Sequence, residues 1–481
     1  MNEDNDVSKD SIPNLLKIGA IPSSYGQSIH TDIIDPVTIN DNRCRFTLDR
    51  VAGFLHSNSK ITLAITPNTT TTAFYPLHIG INNLLSKATL SIGNEVVSSI
   101  SDYSAFSQYQ SMFISNEDNK EREQFISQRC INHQAVYDDR TANTTDKPPN
   151  CAKKIGLDVG RNPVVAAGGG AGTFELLPFM HNDATSAQSI SEAPVYSVYL
   201  ADLFPFLATN QIPCYLLNQS VHIDLEFTPA TSSLKTGAAL SRRMCVNNSE
   251  NANSDVSYSI NQNEVKMIYD SITYDGDVME QYRKQNPKLV FQYVDYRLAK
   301  RTGDQTAFSN LTFPIGGNGR LVSKVIVGLG SNDNFTPVSL LNGVIGRDSA
   351  QAQELSLNLL YNDLFEFNVD RKNPALLFHT TQNAEGRVPM ITRDEWKRAG
   401  VVALTSETFE GHAQNNAFAG LAGLFNLTAI KPNKTQRVNN KGMDLIYKNP
   451  GLGAETYTLR VYLELLKVAT IENGEFSCYF A

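Results

Sequence analysis

Features that the sequence lacks exclude several classes of protein. Its eight histidines form no HExxH motif and no His/Cys group with zinc-ligand spacing, so we predict no metal site. Its six cysteines are scattered and include no CxxC pair, which is typical of reduced, structural thiols in so long a chain. The histidines are His30, His56, His78, His133, His181, His222, His379 and His412. The cysteines are Cys44, Cys130, Cys151, Cys214, Cys245 and Cys478.

Long apolar runs are also missing. No stretch approaches the roughly 18 apolar residues that a membrane-spanning helix needs. The first ten residues, MNEDNDVSKD, are polar and acidic, unlike a signal peptide. We therefore expect a soluble protein that is intracellular when it is made.

Motifs for catalysis are equally sparse. The glycine-rich stretches 168–172 and 316–320 match no phosphate-binding motif and favour flexible loops, and no GxSxG sequence is present. Acidic pairs such as Asp138-Asp139, or Asp363 near Glu366, occur by chance in a chain with 49 acids, although an all-β glycosidase could use such a pair. We predict no catalytic, cofactor-binding or metal-binding residue, no cofactor, and no enzyme activity.

The balance of charge argues against a protein whose main task is binding nucleic acid. The 41 basic and 49 acidic residues give a net charge of −8, whereas neutralising phosphates needs clustered Lys and Arg. The best basic patches, 282–288 and 297–301, read as solvated faces and loops. We expect no direct sequence-specific binding to nucleic acid.

The residues that are present predict β-structure. Val221, Ile223, Leu225 and Phe227 alternate with polar residues, which is the period of a half-buried strand. Upstream of them, Pro213 cannot donate to a strand ladder, and it is expected at the start or the edge of another strand. Similar patterns recur at 45–49, 60–65, 87–97, 265–276, 289–294, 321–329, 355–369, 401–406, 424–430 and 456–468. Convincing helices are few, so the chain is predicted to be all-β, with short helices and long loops.

The chain length of 481 residues exceeds what one core usually holds, so two domains are expected. We predict an N-terminal arm at 1–28, a first sandwich at 29–230 with a long surface insertion at about 116–172, a Ser- and Asn-rich linker at 231–263, and a second sandwich at 264–481.

Three stretches, in this order, resemble the double jelly-roll major capsid proteins of eukaryotic DNA viruses, a group that includes polinton-like viruses, virophages and nucleocytoplasmic large DNA viruses. The first is the Gly93-Asn94 turn followed by an aromatic helix at 101–113, with Asn94 replacing the commoner second glycine. The second is Leu-Phe-Pro-Phe at 203–206, then Ile-Pro, then the alternating strand at 221–227. The third is a strand, an acidic turn, a short helix and a further strand within 265–294.

This resemblance implies two consecutive eight-stranded jelly-roll β-sandwiches in each chain. It also implies a homotrimer that forms a pseudo-hexameric capsomer, with strands roughly normal to an icosahedral shell and long loops on its outer surface. The expected partners are further copies of the chain within and between trimers, penton proteins, minor or cement proteins, and a host surface contacted by outer loops. The expected location is the virion, after synthesis and assembly in an infected host cell.

A carbohydrate-binding or carbohydrate-active β-sandwich is the alternative. It would need paired carboxylates or a sugar-stacking aromatic residue in one cleft. Trp396 is the only tryptophan, and its surroundings, Asp394 to Arg398, read as a short helix on a loop.

Overall fold

The fold of the chain is described by a computed structural model. It describes residues 27–48, 53–67, 73–74, 80–111, 126, 195–228, 246–247, 258–331, 356–361, 364–370, 384, 427–431, 438, 441–448 and 456–481. The predicted N-terminal arm up to residue 26, almost all of the predicted insertion at 116–172, the predicted strand at 401–406, and Trp396 lie outside these residues.

Short strands dominate the first part of the chain. They are β1 (Gln27–Ile34), β2 (Thr38–Ile39), β3 (Arg43–Leu48), β4 (Phe54–Leu55), β5 (Lys60–Leu63), β6 (Ile65–Pro67), β7 (Ala73–Phe74), β8 (Leu85–Ile92), β9 (Glu95–Ser101), β10 (Tyr196–Tyr199), β11 (Val221–Phe227), β12 (Val246–Asn247), β13 (Tyr258–Ile260) and β14 (Lys266–Tyr274). The α-helices in the part of the chain that the structure describes are α1 (Tyr103–Ser111), α2 (Leu200–Leu203), α3 (Pro205–Thr209) and α4 (Gly276–Gln285). In the described residues no helix has the length and apolar character that crossing a membrane requires.

Two five-stranded sheets form the first sandwich. One has the strand order β1-β14-β5-β10, with β4 also paired to β14, and the other has the order β2-β3-β11-β8-β9. The predicted alternation of β11 is confirmed, because its four apolar residues are buried while the side chains between them are partly or fully exposed. The predicted hairpin is also confirmed, since β8 and β9 are joined by Gly93-Asn94, with Gly93 at a positive φ of 57°.

The second sandwich is built from longer strands. They are β15 (Lys288–Asp304), β16 (Leu311–Gly316), β17 (Val322–Ser331), β18 (Ser356–Tyr361), β19 (Leu364–Asp370), β20 (Leu427–Ile430), β21 (Met443–Lys448), β22 (Thr456–Glu472) and β23 (Glu475–Phe480). One sheet has the order β15-β22-β17-β20, with β23 also paired to β22, and the other has the order β16-β21-β18-β19. Strands β15 and β22 pair along all 17 residues of each.

Strand β14 crosses the predicted division of the chain. It follows the predicted linker at 231–263, yet it pairs with β1, β4 and β5 of the first sandwich. Helix α4 then leads directly into β15 of the second sandwich. The domain bounds themselves stay a prediction.

Two local predictions differ from the structure. No strand begins at Pro213: Ile212 makes a single bridge to Leu55 and a 3-10 turn follows at Cys214–Leu216. Proline has no N–H to donate to a ladder, so the strand is not extended there. Residues 297–301 lie within β15 rather than in a loop, because the ladder with β22 continues to Asp304.

A continuous apolar core joins the two sandwiches. Its buried members include Phe46 and Ile223 in the first sandwich, and Val325, Leu445 and Leu459 in the second. Burial of such side chains, at about 25 cal/mol per Å² of apolar surface, is the main force that holds sandwiches together.

We expect Leu459→Ala to lower the free energy of unfolding by about 2–5 kcal/mol, because Leu459 is fully buried in β22 and its loss leaves a cavity. The matched control is Val37→Ala, at a side chain that is 68% exposed, which should change stability by less than about 0.5 kcal/mol. Thermal unfolding followed by circular dichroism measures both. Equal losses in the two variants would contradict the assignment of Leu459 to the core.

Candidate functional site

Of the residues that the sequence singled out, those that the structure describes do not converge on one site. Where described, His222 lies beside Thr47 on the outer face of a sheet and His30 lies beside Ser28 at a sheet edge. Of the basic stretch 282–288, Tyr282 is buried, while Lys284 and Lys288 form surface ion pairs. Among the described residues no group of three His, Cys, Asp or Glu side chains could hold a metal ion. Asp363, Trp396 and the side chain of Glu366 lie outside the description.

The most distinctive polar chemistry lies where the two sandwiches meet. We refer to this region as the sandwich contact. It is formed by β9, α1, α3 and the loop 218–220 on the first side, and by β15, β22 and β23 on the second.

One end of the sandwich contact is formed by a hairpin tip. Asn473 and Gly474 connect β22 to β23 in a two-residue turn, and both have positive φ angles, which is the conformation that such turns need. The Asn218 main-chain N–H donates to Gly474 O over 2.8 Å, and its side-chain amide donates to Asn473 O over 3.2 Å. The second sandwich is thereby hydrogen-bonded to a loop of the first.

A buried lysine occupies the middle of the sandwich contact. The Lys467 ammonium donates to the carbonyl oxygens of Val96 and Val97 in β9, each at 2.8 Å. Its third donor faces Asp295 Oδ2 at 3.2 Å, and the Ser98 hydroxyl donates to the other oxygen of that carboxylate at 2.8 Å. All three donors of the ammonium are therefore used, two of them across the sandwich contact.

The carboxylate of this group is held in an apolar environment. Asp295 and Lys467 are each only 5% exposed. Burial raises the pKa of the Asp295 carboxyl above its usual range, although the Lys467 ammonium and the Ser98 hydroxyl both act to lower it. Asp295 and Lys467 therefore stabilise each other, because removing either one would leave the other charge buried without a counter-ion.

The far end of the sandwich contact is centred on Asp102, which connects β9 to α1. Its φ of 54° is unusual for a residue other than glycine, and its carbonyl accepts the first helical N–H groups, from Ala105 and Phe106. The same carbonyl accepts a hydrogen bond from Tyr462 at 3.0 Å, and Arg460 Nε donates to the carboxylate at 2.9 Å.

Aromatic rings fill the space between these polar groups. Phe206 of α3 packs against Phe291 and Tyr293 of β15, with ring centroids 5.6 and 4.8 Å apart. Phe106 of α1 packs against Tyr296, with ring centroids 4.5 Å apart. Edge-on and tilted contacts of this kind add to the stabilisation from burial alone. The sandwich contact thus combines buried aromatic rings with directional hydrogen bonds.

Sequence reasoning did not identify these residues, although a signal was present. Lys467 follows Leu463 and Leu465 at strand spacing, so a charge occupies the apolar face of β22. Asp295 likewise follows Phe291 and Tyr293. A charge in such a position needs a buried partner, which the pattern alone does not name.

No protein-family model matches the chain, and no curated protein matches it in sequence. Solved structures do resemble its backbone. The cryo-EM structure of the Sputnik virophage matches with a TM-score of 0.55 and 12% identity, over 98% of this chain and 92% of that chain. The crystal structure of PBCV-1 VP54, fitted into a reconstruction of Sputnik, matches with a TM-score of 0.52 and 10% identity, over 96% and 98%.

A quasi-atomic structure of the PBCV-1 virus capsid also matches, with a TM-score of 0.50 and 11% identity, over 96% of this chain and 98% of that chain. The chain has the double jelly-roll fold of viral capsid proteins, as the sequence predicted. At 10–12% sequence identity the likeness establishes the fold and does not by itself establish the function.

We expect Lys467→Met to lower the free energy of unfolding by about 3–5 kcal/mol, because it leaves the Asp295 carboxylate buried without a counter-ion. The double variant Lys467→Met/Asp295→Leu should recover most of this loss. The Lys467 ammonium acts to lower the pKa of the Asp295 carboxyl, so its loss raises that pKa further. A carboxyl whose pKa is raised by folding stabilises the folded state at low pH, so the single variant should gain stability relative to wild type as the pH falls. Equal stability of the single and double variants at neutral pH would contradict the coupling.

We expect Asp102→Asn to destabilise the protein by about 1–3 kcal/mol, because it removes a charged acceptor from Arg460 and keeps a residue that tolerates positive φ. Asp102→Ala should destabilise it further, since alanine also strains the backbone at that angle. Chemical unfolding of both variants checks this order. A larger loss for Asn than for Ala would show that backbone conformation is not part of the role of Asp102.

Proposed function

We propose that this chain is a viral major capsid protein, and that three copies form a homotrimeric, pseudo-hexameric capsomer of an icosahedral shell. The observation that carries the proposal is the pairing of two β-sandwiches in one chain, fastened by the sandwich contact. The structures that it resembles come from the PBCV-1 capsid and the Sputnik virophage, which supports a place in the virion.

The geometric argument concerns symmetry. Three chains with two similar sandwiches each supply six similar units around one axis, and cyclic symmetry closes the interfaces among them. Such a capsomer can lie in a hexagonal lattice only if each pair of sandwiches keeps one relative orientation. The buried Lys467 group and the Asn218–Gly474 hydrogen bond fix that orientation in each chain.

The division of the chain follows from the same argument. We propose that the first sandwich ends with β14 at Tyr274 and that α4 connects it to the second. This moves the predicted start of the second sandwich from 264 to β15, because the hydrogen bonds of β14 go to β1, β4 and β5.

The expected partners are neighbouring trimers, penton proteins and minor or cement proteins, with outer loops facing the host surface. A net charge of −8 leaves contact with the genome to other components. The protein is made and assembled in the infected cell and has a structural role, without enzyme activity. No observation among the described residues favours the carbohydrate-active alternative.

We expect the purified chain to form a stable particle of three chain masses that appears as a hexagonal tile. Multi-angle light scattering measures the mass, and negative-stain images of the same peak show the outline. A folded, monodisperse monomer at every concentration tested would overturn the capsomer proposal.

A further inference from the structure

The edge of the first sandwich at β1 has the properties of a pairing surface. Among the described strands, β1 pairs with β14 on one side only. Ile29 and Ile33 are 60% and 68% exposed, and they lie on the same face of the strand. The strand contains no lysine, no proline and no bulge, which are the usual features that protect an edge from pairing.

The hydrogen-bonding phase of β1 shows which main-chain groups point outward. Thr31 lies opposite Asp270 of β14. The N–H and C=O of Asp270 point the other way, to Ser59 Oγ at 3.0 Å and to the N–H of His56 at 2.9 Å. Thr31 is therefore in a non-hydrogen-bonded pair with β14, and its own N–H and C=O point to the open edge. Because the phase alternates, the same holds for Ile29 and Ile33.

The side chains of this edge match a reversed copy of themselves. The residues from 29 to 33 read Ile-His-Thr-Asp-Ile. In an antiparallel pair centred on Thr31, Ile29 lies opposite Ile33 of the second copy, and His30 lies opposite Asp32 of the second copy. Apolar side chains then face apolar ones, and an imidazole faces a carboxylate at two places.

We propose that two copies of this chain pair through β1, antiparallel and about a two-fold axis at Thr31. The sheets that contain β1 in the two copies become one continuous sheet. The outward main-chain groups of Ile29, Thr31 and Ile33 form the hydrogen bonds between the two copies. The direction of these main-chain groups and the pairing of the side chains both favour the register centred on Thr31.

Other registers can also join the outward main-chain groups of the two strands, but they no longer place His30 opposite Asp32. Moving the centre to His30 places the two His30 side chains opposite each other, and moving it to Asp32 places two carboxylates opposite each other. Neither arrangement places an imidazole opposite a carboxylate, and two carboxylates directly opposite each other are destabilising. Moving the centre to a point between two residues sets outward main-chain groups against inward ones and breaks the ladder.

This pairing goes beyond the proposed capsomer and does not depend on it. A two-fold axis perpendicular to the strands turns one copy upside down relative to the other. In a shell whose strands stand along its normal, all copies point the same way. The β1 pair therefore belongs to protein outside the shell, where it covers an edge that would otherwise recruit other strands.

A charge-swap series tests the proposal on the full chain. Sedimentation velocity over a range of concentrations would compare wild type, His30→Asp, Asp32→His and the double variant. We expect wild type to form two-fold species, meaning pairs of chains or pairs of trimers. Each single variant should weaken this pairing by about ten-fold or more, because two like pairs replace two matched ones. The double variant should restore it.

The variants lie on exposed side chains, and Asp35→His serves as a control for a charge change outside the strand. Two-fold species that are unaffected by the swaps, or that the double variant fails to restore, would overturn the pairing. The absence of two-fold species in wild type would also overturn it. A unit of three chain masses, alone or as one half of a pair, should persist in wild type and in all variants, so its absence would count against the capsomer alone.

A cysteine at the proposed axis gives a second readout. Thr31→Cys places two thiols opposite each other, at a separation that a disulfide can span. Mild oxidation should link two chains of this variant. Ser28→Cys is the matched control on the same strand, because it lies opposite Ile34 of the second copy. Equal cross-linking of the two variants would overturn the register.

Discussion

The two sandwiches are held in one orientation by a lysine that neither sandwich satisfies alone. Lys467 extends from β22 and places two of its three hydrogen bonds on carbonyls of β9. If the sandwiches turned so that these carbonyls moved out of reach, the buried ammonium would lose two hydrogen bonds, and without the ammonium the Asp295 carboxylate would be buried alone. The orientation of the sandwiches is therefore tied to the electrostatics of one buried group, while the aromatic contacts around it exclude water.

The polar groups of the sandwich contact set its geometry and the apolar ones supply most of its free energy. Rings such as Phe206 against Tyr293 would tolerate small shifts, because dispersion and burial have little directional preference. The bonds of Asn218, Lys467 and Arg460 do not tolerate them, since a hydrogen bond weakens steeply when its angle bends. The hydrogen bonds of these three residues are spaced along the sandwich contact, and together they select one rotation of the second sandwich on the first.

Strands and their turns could be predicted from the sequence because their signals are local. The alternation at 221–227 and the Gly93-Asn94 turn need only neighbouring residues to be recognised. The partner of each strand is a long-range property, and β14 shows the difference: its pattern was visible, but its pairing with β1 was not. The sandwich contact was missed for the same reason, since Lys467 and Val97 are brought together only by the complete topology.

The ribbon of β15 and β22 has a mechanical consequence. At about 3.3 Å per residue, its 17 residue pairs extend over roughly 55 Å, from the core of the second sandwich to the tip that touches Asn218. The hydrogen bonds between antiparallel strands lie perpendicular to the strands. A tensile load along the ribbon therefore acts on all of its hydrogen bonds in shear at once, whereas a load across it would open them one at a time. The ribbon therefore resists a load along its strands better than a load across them.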